Sequence, residues 1–201
     1  VNAKPPVKSA PSLSGCVTAI IAPSTNLITG TKLAIGDSII GVTSSGIHAN
    51  GISLVTKKVM ELPDKFLTKL PNGRNIGEET LIPTRSYVAL VETLLLSGVD
   101  IHALLPGTGS GVAKISFDSR PATYRIHTWV DVPPIMQFMQ SIGISLEDCL
   151  RTWNWGIGYY IFAAKKDVDQ ILSLGRAAGY DLREVGVVEA GERKTIFEPE
   201  T

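Results

Sequence analysis

The stretch GDSIIGVTSSGIHANGISLV, residues 36–55, decides how the chain is organised. Its Gly-Asp turn and the apolar run that follows at residues 39–42 predict a buried β-strand. From Ile52 onward, apolar residues recur at steps of three and four, which predicts a helix that ends before Pro63. Residues 44–51 join these two elements, so the stretch is a strand–loop–helix unit.

The loop of this unit is a candidate anion-binding site. N–H groups in the first turn of a helix have no partner within the helix and lie at the positive end of its dipole, so they attract phosphate or carboxylate. Gly46 and Gly51 would let a ligand approach the backbone, and Ser45, His48 and Asn50 would add side-chain donors. A tight turn in which Asn50 caps the helix and His48 is simply exposed explains the same residues, and both interpretations stay open at this point. The loop lacks the lysine of a P-loop.

The rest of the chain predicts more helices and strands in an irregular order. Helix signals are a Thr84 cap with Gly98 as the end, Pro133-Pro134 before a stripe ended by Gly143, a Ser145 cap, and an apolar pattern from Val168 closed by Gly179. Strand-like runs occupy residues 17–22, 101–105, 113–117, 123–127, 159–164 and 184–188. Because strands and helices do not alternate strictly, we expect an α+β layered domain with helices packed on a mixed β-sheet, not a doubly wound parallel sheet.

Composition excludes several classes of partner. The 201 residues are 44% hydrophobic and 19% charged, which is typical of a globular chain. Nineteen basic residues balance nineteen acidic ones, so we expect no nucleic-acid partner. No run approaches the roughly 20 apolar residues of a membrane span, so we expect no membrane partner. The two cysteines cannot form a thiolate zinc site and favour a reducing, cytoplasmic location. Residues 1–15, rich in Pro, Ser and Lys, suggest a flexible arm or linker.

Two further segments are candidates for ligand contact. Residues 102–111 contain a strand-end His102 followed by the glycine-rich run Gly107-Thr108-Gly109, which is either a backbone cradle or a flexible surface loop. Residues 152–158, TWNWGIG, are either a ligand wall lined by aromatic and amide groups or a packed corner. The three histidines have no zinc spacing and no nucleophile elbow is present, so we expect no metal site and name no catalytic residue.

Four segments together resemble one known family, the aminoimidazole ribonucleotide synthetases, also called phosphoribosylformylglycinamidine cyclo-ligases. Residues 36–55 resemble the family pattern GD…GL.SSG.HSNG.SL. LIPTRSYV at residues 81–88 is similar to LLTPTRIYV, VPPIM at 132–136 to VPPIF, and TWNWGIG at 152–158 to TFNMGIG. The motifs occur in the family's order, across about residues 15–190. One segment departs from the pattern: after His102, the glycines are displaced relative to the family's HITGGG.

The resemblance covers only the C-terminal half of such an enzyme. It implies a family C-terminal domain at residues 33–198, preceded by an interdomain segment at 16–32, with no counterpart here of the N-terminal half. ATP and Mg²⁺ would bind mostly in that missing half. The partners implied are the N-terminal half or a second subunit, a homodimer in the full enzyme, and a phosphorylated ribonucleotide substrate.

The implied reaction is ATP-dependent closure of the imidazole ring of formylglycinamidine ribonucleotide, with release of ADP and phosphate. The resemblance assigns Ser45, Gly46, His48, Asn50 and Gly51 to phosphate or substrate contacts. Arg85 is either a charge-assisted donor to the ligand or an ion-pair residue, and no general base is identified. Two alternatives remain: a non-catalytic regulatory or assembly module with the same fold, and a divergent superfamily member that acts on another phosphorylated substrate.

Overall fold

The computed structural model describes residues 15–21, 23 and 27–199. The strands are β1 Asp37–Thr43, β2 Ile101–Pro106, β3 Thr123–Ile126, β4 Ile157–Ala164, β5 Leu182–Glu189 and β6 Lys194–Phe197. The helices are α1 Ile52–Val59, α2 Ile76–Thr80, α3 Val88–Ser97, α4 Pro134–Ser141, α5 Leu146–Thr152 and α6 Val168–Ala177, with short 3-10 helices at Lys65–Leu67, Gly111–Ile115 and Lys165–Asp167. The arm predicted for residues 1–15 lies outside the described residues apart from Gly15.

One six-stranded sheet has the order β2-β4-β1-β5-β3-β6. Four of its five strand pairs are antiparallel, and β3 pairs with β6 in parallel. This confirms the α+β fold with a mixed sheet. The central strand β1 is buried on both faces, because Ile39 belongs to one hydrophobic cluster and Ile40 to the other. Burial on both faces explains why β1 reads as a continuous apolar run and not as an alternating one.

Helices cover both faces of the sheet. Helices α3 and α6 pack on one face through Leu90, Leu94 and Ile171. The other face carries α1, α2, α4 and α5, which bury residues such as Val55 and Met139 against it. Residues 44–51 connect the carboxyl end of β1 to the first helix of this layer, α1.

Several local predictions are confirmed. Gly98 follows α3 with φ 72°, in the left-handed region that favours glycine. The Ser145 side chain accepts a hydrogen bond from the Asp148 N–H and so caps α5. Helix α4 begins at Pro134, as the Pro-Pro pair predicted.

Three local predictions are wrong. Thr84 does not cap α3, because residues 82–87 form a loop and the helix begins only at Val88, with Tyr87 as its N-cap. The run at 113–117 is not a strand: a 3-10 helix occupies Gly111–Ile115, and its buried Val112 and Ile115 are three residues apart, the period of a 3-10 turn. Residues 17–21 form no strand, and residue 22 lies outside the described part of the chain.

Candidate functional site

Strand direction brings two of the predicted loops together. Strands β1 and β2 each pair antiparallel with β4, so they run in the same direction, and Val42 and Pro106 both pair with Tyr159. The loops that follow β1 and β2 therefore leave the sheet at the same edge. The Asn50 amide links them by donating a hydrogen bond of 3.3 Å from Nδ2 to the Gly107 carbonyl oxygen. Residues 44–51 are called the first anion loop below, residues 107–108 the second, and both together the anion loops.

Asn50 is not the cap of α1. The N-cap of this helix is Gly51, which has φ 71° and receives no side-chain cap. The Gly51 carbonyl accepts from the Leu54 and Val55 N–H groups. Because they precede the first intrahelical bond, the Ile52 and Ser53 N–H groups have no acceptor within the helix. The first turn of α1 therefore keeps the unpaired donors on which the anion-site prediction depends.

His48 lies in the interior of the loop and is not an exposed side chain. It is only 9% exposed, and its backbone has φ 55°. Its Nε2 atom accepts a 3.1 Å hydrogen bond from the Ser45 N–H, so this nitrogen carries no proton and the ring is neutral. Burial lowers the pKa of His48 from its ordinary value of 6.5. The imidazole therefore orders the loop without contributing positive charge.

This arrangement predicts that the protein loses stability on mild acidification. The unfolded chain takes up the His48 proton near pH 6.5, whereas the folded chain binds it only at lower pH. The free energy of unfolding should therefore fall as pH decreases from above 6.5 through the lowered folded-state pKa. Urea denaturation at a series of pH values measures this. His48→Asn keeps a residue that tolerates positive φ and should flatten the profile; an unchanged profile would contradict the assignment.

Asn154, from the TWNWGIG segment, stabilises the first anion loop through buried hydrogen bonds. It is 1% exposed, donates 2.9 Å from Nδ2 to the Gly46 carbonyl, and accepts 2.9 Å at Oδ1 from the Gly156 N–H. The Gly156 carbonyl in turn accepts from the Ser44 N–H at 2.8 Å. Trp153 and Trp155 are buried. The segment therefore packs against the loop and holds it in place.

Two buried polar atoms beside the loop have no hydrogen-bond partner among the described residues. They are Ser44 Oγ and Trp153 Nε1. The indole N–H lies against Gly51, since a Cβ added at that glycine would overlap Nε1. A buried donor without an acceptor costs about 1–3 kcal/mol, so two at one loop suggest a ligand that satisfies them. Both residues lie in segments that the sequence singled out, residues 44–51 and 152–158, but no pattern indicated that these two atoms lack partners.

Tyr87 and Ser45 attach the loop at residues 81–87 to the same site. The Tyr87 hydroxyl donates 3.0 Å to the Thr43 carbonyl, and Ser45 Oγ donates 2.7 Å to the Pro83 carbonyl. Arg85, however, turns away from the anion loops. Its guanidinium lies 4.4 Å from the Tyr180 ring centroid and donates to the Gly179 carbonyl. Its contacts in the structure are therefore with the end of α6.

His102 lies at the other end of the sheet. Its Nδ1 is 2.8 Å from Asp37 Oδ2, at the start of both β1 and β2. Four residues of strand lie between it and Gly107, and these five steps of the chain span about 17 Å. The structure therefore separates His102 from the other predicted site residues of the two loops. Gly109 is exposed and directly follows the second loop. The residues that lie together are Ser45, Gly46, His48, Asn50, Gly51, Gly107 and Thr108.

Lys114 is a residue near the anion loops that sequence reasoning missed. Its Nζ donates 2.7 Å to the Thr108 carbonyl and lies 3.5 Å from Thr108 Oγ1. The 3-10 helix at Gly111–Ile115 folds the lysine back onto the loop, whereas the strand predicted there would have carried it away. The three-residue spacing of the apolar Val112 and Ile115 was the one feature of the sequence that could have indicated this 3-10 helix.

The described residues form neither a metal-binding cluster nor a membrane-spanning helix. Within residues 15–21, 23 and 27–199, no three His, Cys, Asp or Glu side chains are grouped so as to hold a metal ion. No helix in the same described ranges is long and apolar enough to cross a bilayer.

Comparisons with known proteins agree with the four motifs. Residues 34–198 match the family described as AIR synthase related protein, C-terminal domain. Phosphoribosylformylglycinamidine cyclo-ligases are similar to the chain: that of Methanococcus vannielii is 31% identical over 88% of this chain and 51% of the relative. That of Brevibacillus brevis is 33% identical over 88% of this chain and 53% of the relative. The chain therefore spans about half the length of the curated relatives it matches.

Solved structures show the same fold at lower identity. Hydrogenase maturation protein HypE has a TM-score of 0.55 and 18% identity, covering 90% of this chain and 54% of that protein. Thiamine-monophosphate kinase from Stenotrophomonas maltophilia has a TM-score of 0.54 and 15% identity, covering 85% of this chain and 52% of the kinase.

Proposed function

Because the chain belongs to the AIR synthase related protein family through its C-terminal domain, we propose that it is the C-terminal half of an ATP-dependent cyclo-ligase. The reaction is conversion of formylglycinamidine ribonucleotide to aminoimidazole ribonucleotide, with ADP and phosphate as co-products. The observation that carries the proposal is the pair of joined anion loops, where unpaired helix N–H groups and two orphaned buried donors lie at one edge of the sheet. The two cyclo-ligase relatives support it.

In this proposal the chain binds and orients the substrate. The first turn of α1 receives the substrate phosphate, with Ser45, Gly46, Asn50 and Gly51 around it. Asn50 keeps the two loops together, and neutral His48 fixes the Ser45 backbone. Phosphoryl transfer from ATP would activate the formyl oxygen, after which the amidine nitrogen attacks and phosphate leaves. Holding the reacting groups together is the contribution of this half to the rate.

ATP and Mg²⁺ belong, in the proposal, mainly to the other half of the enzyme. The described residues hold no carboxylate cluster suited to a metal ion, so no step is assigned to Mg²⁺ through side chains of this chain. We propose that the chain acts with an N-terminal half, in the same or a second polypeptide, as a homodimer in the cytoplasm. The free thiols of Cys16 and Cys149 agree with a reducing compartment.

Binding and turnover test the proposal separately. The chain should bind formylglycinamidine ribonucleotide in calorimetry without hydrolysing ATP. ADP should form only when a separately produced N-terminal half, such as that of the Brevibacillus brevis relative, is added with substrate. Binding without turnover in the mixture would favour a non-catalytic module, and the absence of binding would contradict the proposal.

Asn50→Ala should weaken substrate binding by about tenfold, the cost of roughly 1.4 kcal/mol expected when the bond between the loops is lost. Calorimetry with formylglycinamidine ribonucleotide measures the affinity. Asn72→Ala is the matched control, because the exposed Asn72 amide bonds the Glu79 side chain and the Arg74 N–H and makes no bond to the anion loops. Equal affinities for Asn50→Ala and the wild type would remove the anion loops from the substrate site.

A further inference from the structure

The anion loops have no charged residue of their own. Residues 44–51 and 107–108 contain no Lys, Arg, Asp or Glu, whereas a phosphate monoester carries about −1.5 to −2 charges at pH 7. Unpaired N–H groups and the helix dipole attract such a group but supply only about half a positive charge. A site for a phosphate dianion therefore calls for a cation from elsewhere in the fold.

The nearby basic side chains differ in where their charge lies. His48 is neutral, because its Nε2 accepts from the Ser45 N–H. Arg85 stacks on Tyr180 and bonds the Gly179 carbonyl. Lys57 and Lys58 lie in the last turn of α1, at the opposite end from the unpaired N–H groups. None of these places a positive charge at the anion loops.

Lys114 reaches the loops from a separate segment. Its Nζ bonds the Thr108 carbonyl at 2.7 Å, and Thr108 follows Gly107, whose carbonyl bonds the Asn50 amide. An ammonium group has three donors, so the bonds to the Thr108 carbonyl and to Thr108 Oγ1 leave one for a ligand. Lys114 is half-buried, which keeps its charge close to the loops and less screened than on an open surface.

We propose that Lys114 is the cationic ligand of the anion loops and that the group it binds is a phosphate monoester. This rests on the proposed function and extends it, since it assigns to this chain a binding residue that the strand–loop–helix unit lacks. The indole N–H of Trp153, buried against the α1 N-cap Gly51, has no partner among the described residues, and this supports an acceptor beside the first turn of α1. Lys114 then has the part that a lysine within the loop has in a P-loop.

Ribose 5-phosphate is the probe for this proposal, measured by calorimetry, with ribose as the uncharged reference. Lys114→Met should weaken ribose 5-phosphate binding at least tenfold, and Lys114→Arg should keep it within about threefold of the wild type. The difference between wild type and Lys114→Met should shrink in 1 M NaCl, because salt screens the charge. Lys166→Met is the control, since it removes the same charge from an exposed position beyond the other end of β4.

The outcomes separate this inference from the proposed function. If Lys114→Met binds as tightly as the wild type while Asn50→Ala loses affinity, the Lys114 assignment is wrong and the anion loops remain. If the wild-type chain does not bind ribose 5-phosphate, the phosphate site itself is wrong. Lys114→Gln provides a second neutral variant if Lys114→Met does not fold, and circular dichroism establishes the folding of each.

Discussion

Gly158→Ala should lower the free energy of unfolding by about 2–4 kcal/mol and weaken phosphate-monoester binding by more than tenfold. A Cβ at this position of β4 would overlap the Tyr87 hydroxyl and His48 Cε1. Overpacking of a tight interior costs about 1–3 kcal/mol. Displacing Tyr87 also breaks its bond to the Thr43 carbonyl, worth about 1 kcal/mol more. Displacing His48 instead releases the Ser45 N–H and disorders the first anion loop.

A double-mutant cycle identifies which neighbour gives way. Tyr87→Phe removes the hydroxyl that the new methyl group would overlap, so it should cost stability in the wild type but less in the Gly158→Ala background. Urea denaturation gives the four stabilities, and calorimetry with ribose 5-phosphate gives the affinities. Additive effects would place the strain at His48. Full stability and affinity in Gly158→Ala would contradict the close packing of β4 against the site.

The strand–loop–helix unit was predictable because its signals are local. Each signal depends on a few neighbouring residues: the apolar run of β1, the helical spacing of apolar residues that begins at Ile52, and the glycines between the two. The mixed sheet followed from the irregular order of such elements, and the structure confirms it. The four-residue edge strand β6 was not predicted, because the sequence KTIF is short and begins with polar residues, so its pattern does not differ from that of a loop.

The contacts that build the site were not predictable, because they join residues far apart in sequence. The position of the Lys114 side chain depends on the 3-10 helix at Gly111–Ile115, whereas the sequence of residues 113–117 suggested a strand. Arg85 belongs to a motif that resembles the family, but its partner Tyr180 lies 95 residues further along the chain, and no local pattern indicates that the two stack. His102 and Gly107 share one segment, yet a strand separates them because β2 carries them to opposite ends of the sheet.

Asn154→Ala should be the second most damaging change, with a loss of about 2–4 kcal/mol. The substitution leaves the Gly46 carbonyl and the Gly156 N–H buried without partners, and each unpaired group costs about 1–3 kcal/mol. The same substitution at the exposed Asn72, whose amide bonds Glu79 and the Arg74 N–H, should cost less, because water can replace the lost bonds there.

Asn154→Asp distinguishes the two hydrogen bonds of this residue. The carboxylate still accepts from the Gly156 N–H, but an oxygen replaces the amide nitrogen that faces the Gly46 carbonyl. Two acceptors in contact at a buried position repel, and the negative charge lies beside a loop that we propose binds phosphate. Asn154→Asp should therefore bind ribose 5-phosphate more weakly than Asn154→Ala. If the aspartate variant binds as tightly as the alanine variant, then the charge of residue 154 is not felt at the anion loops and the phosphate must lie elsewhere.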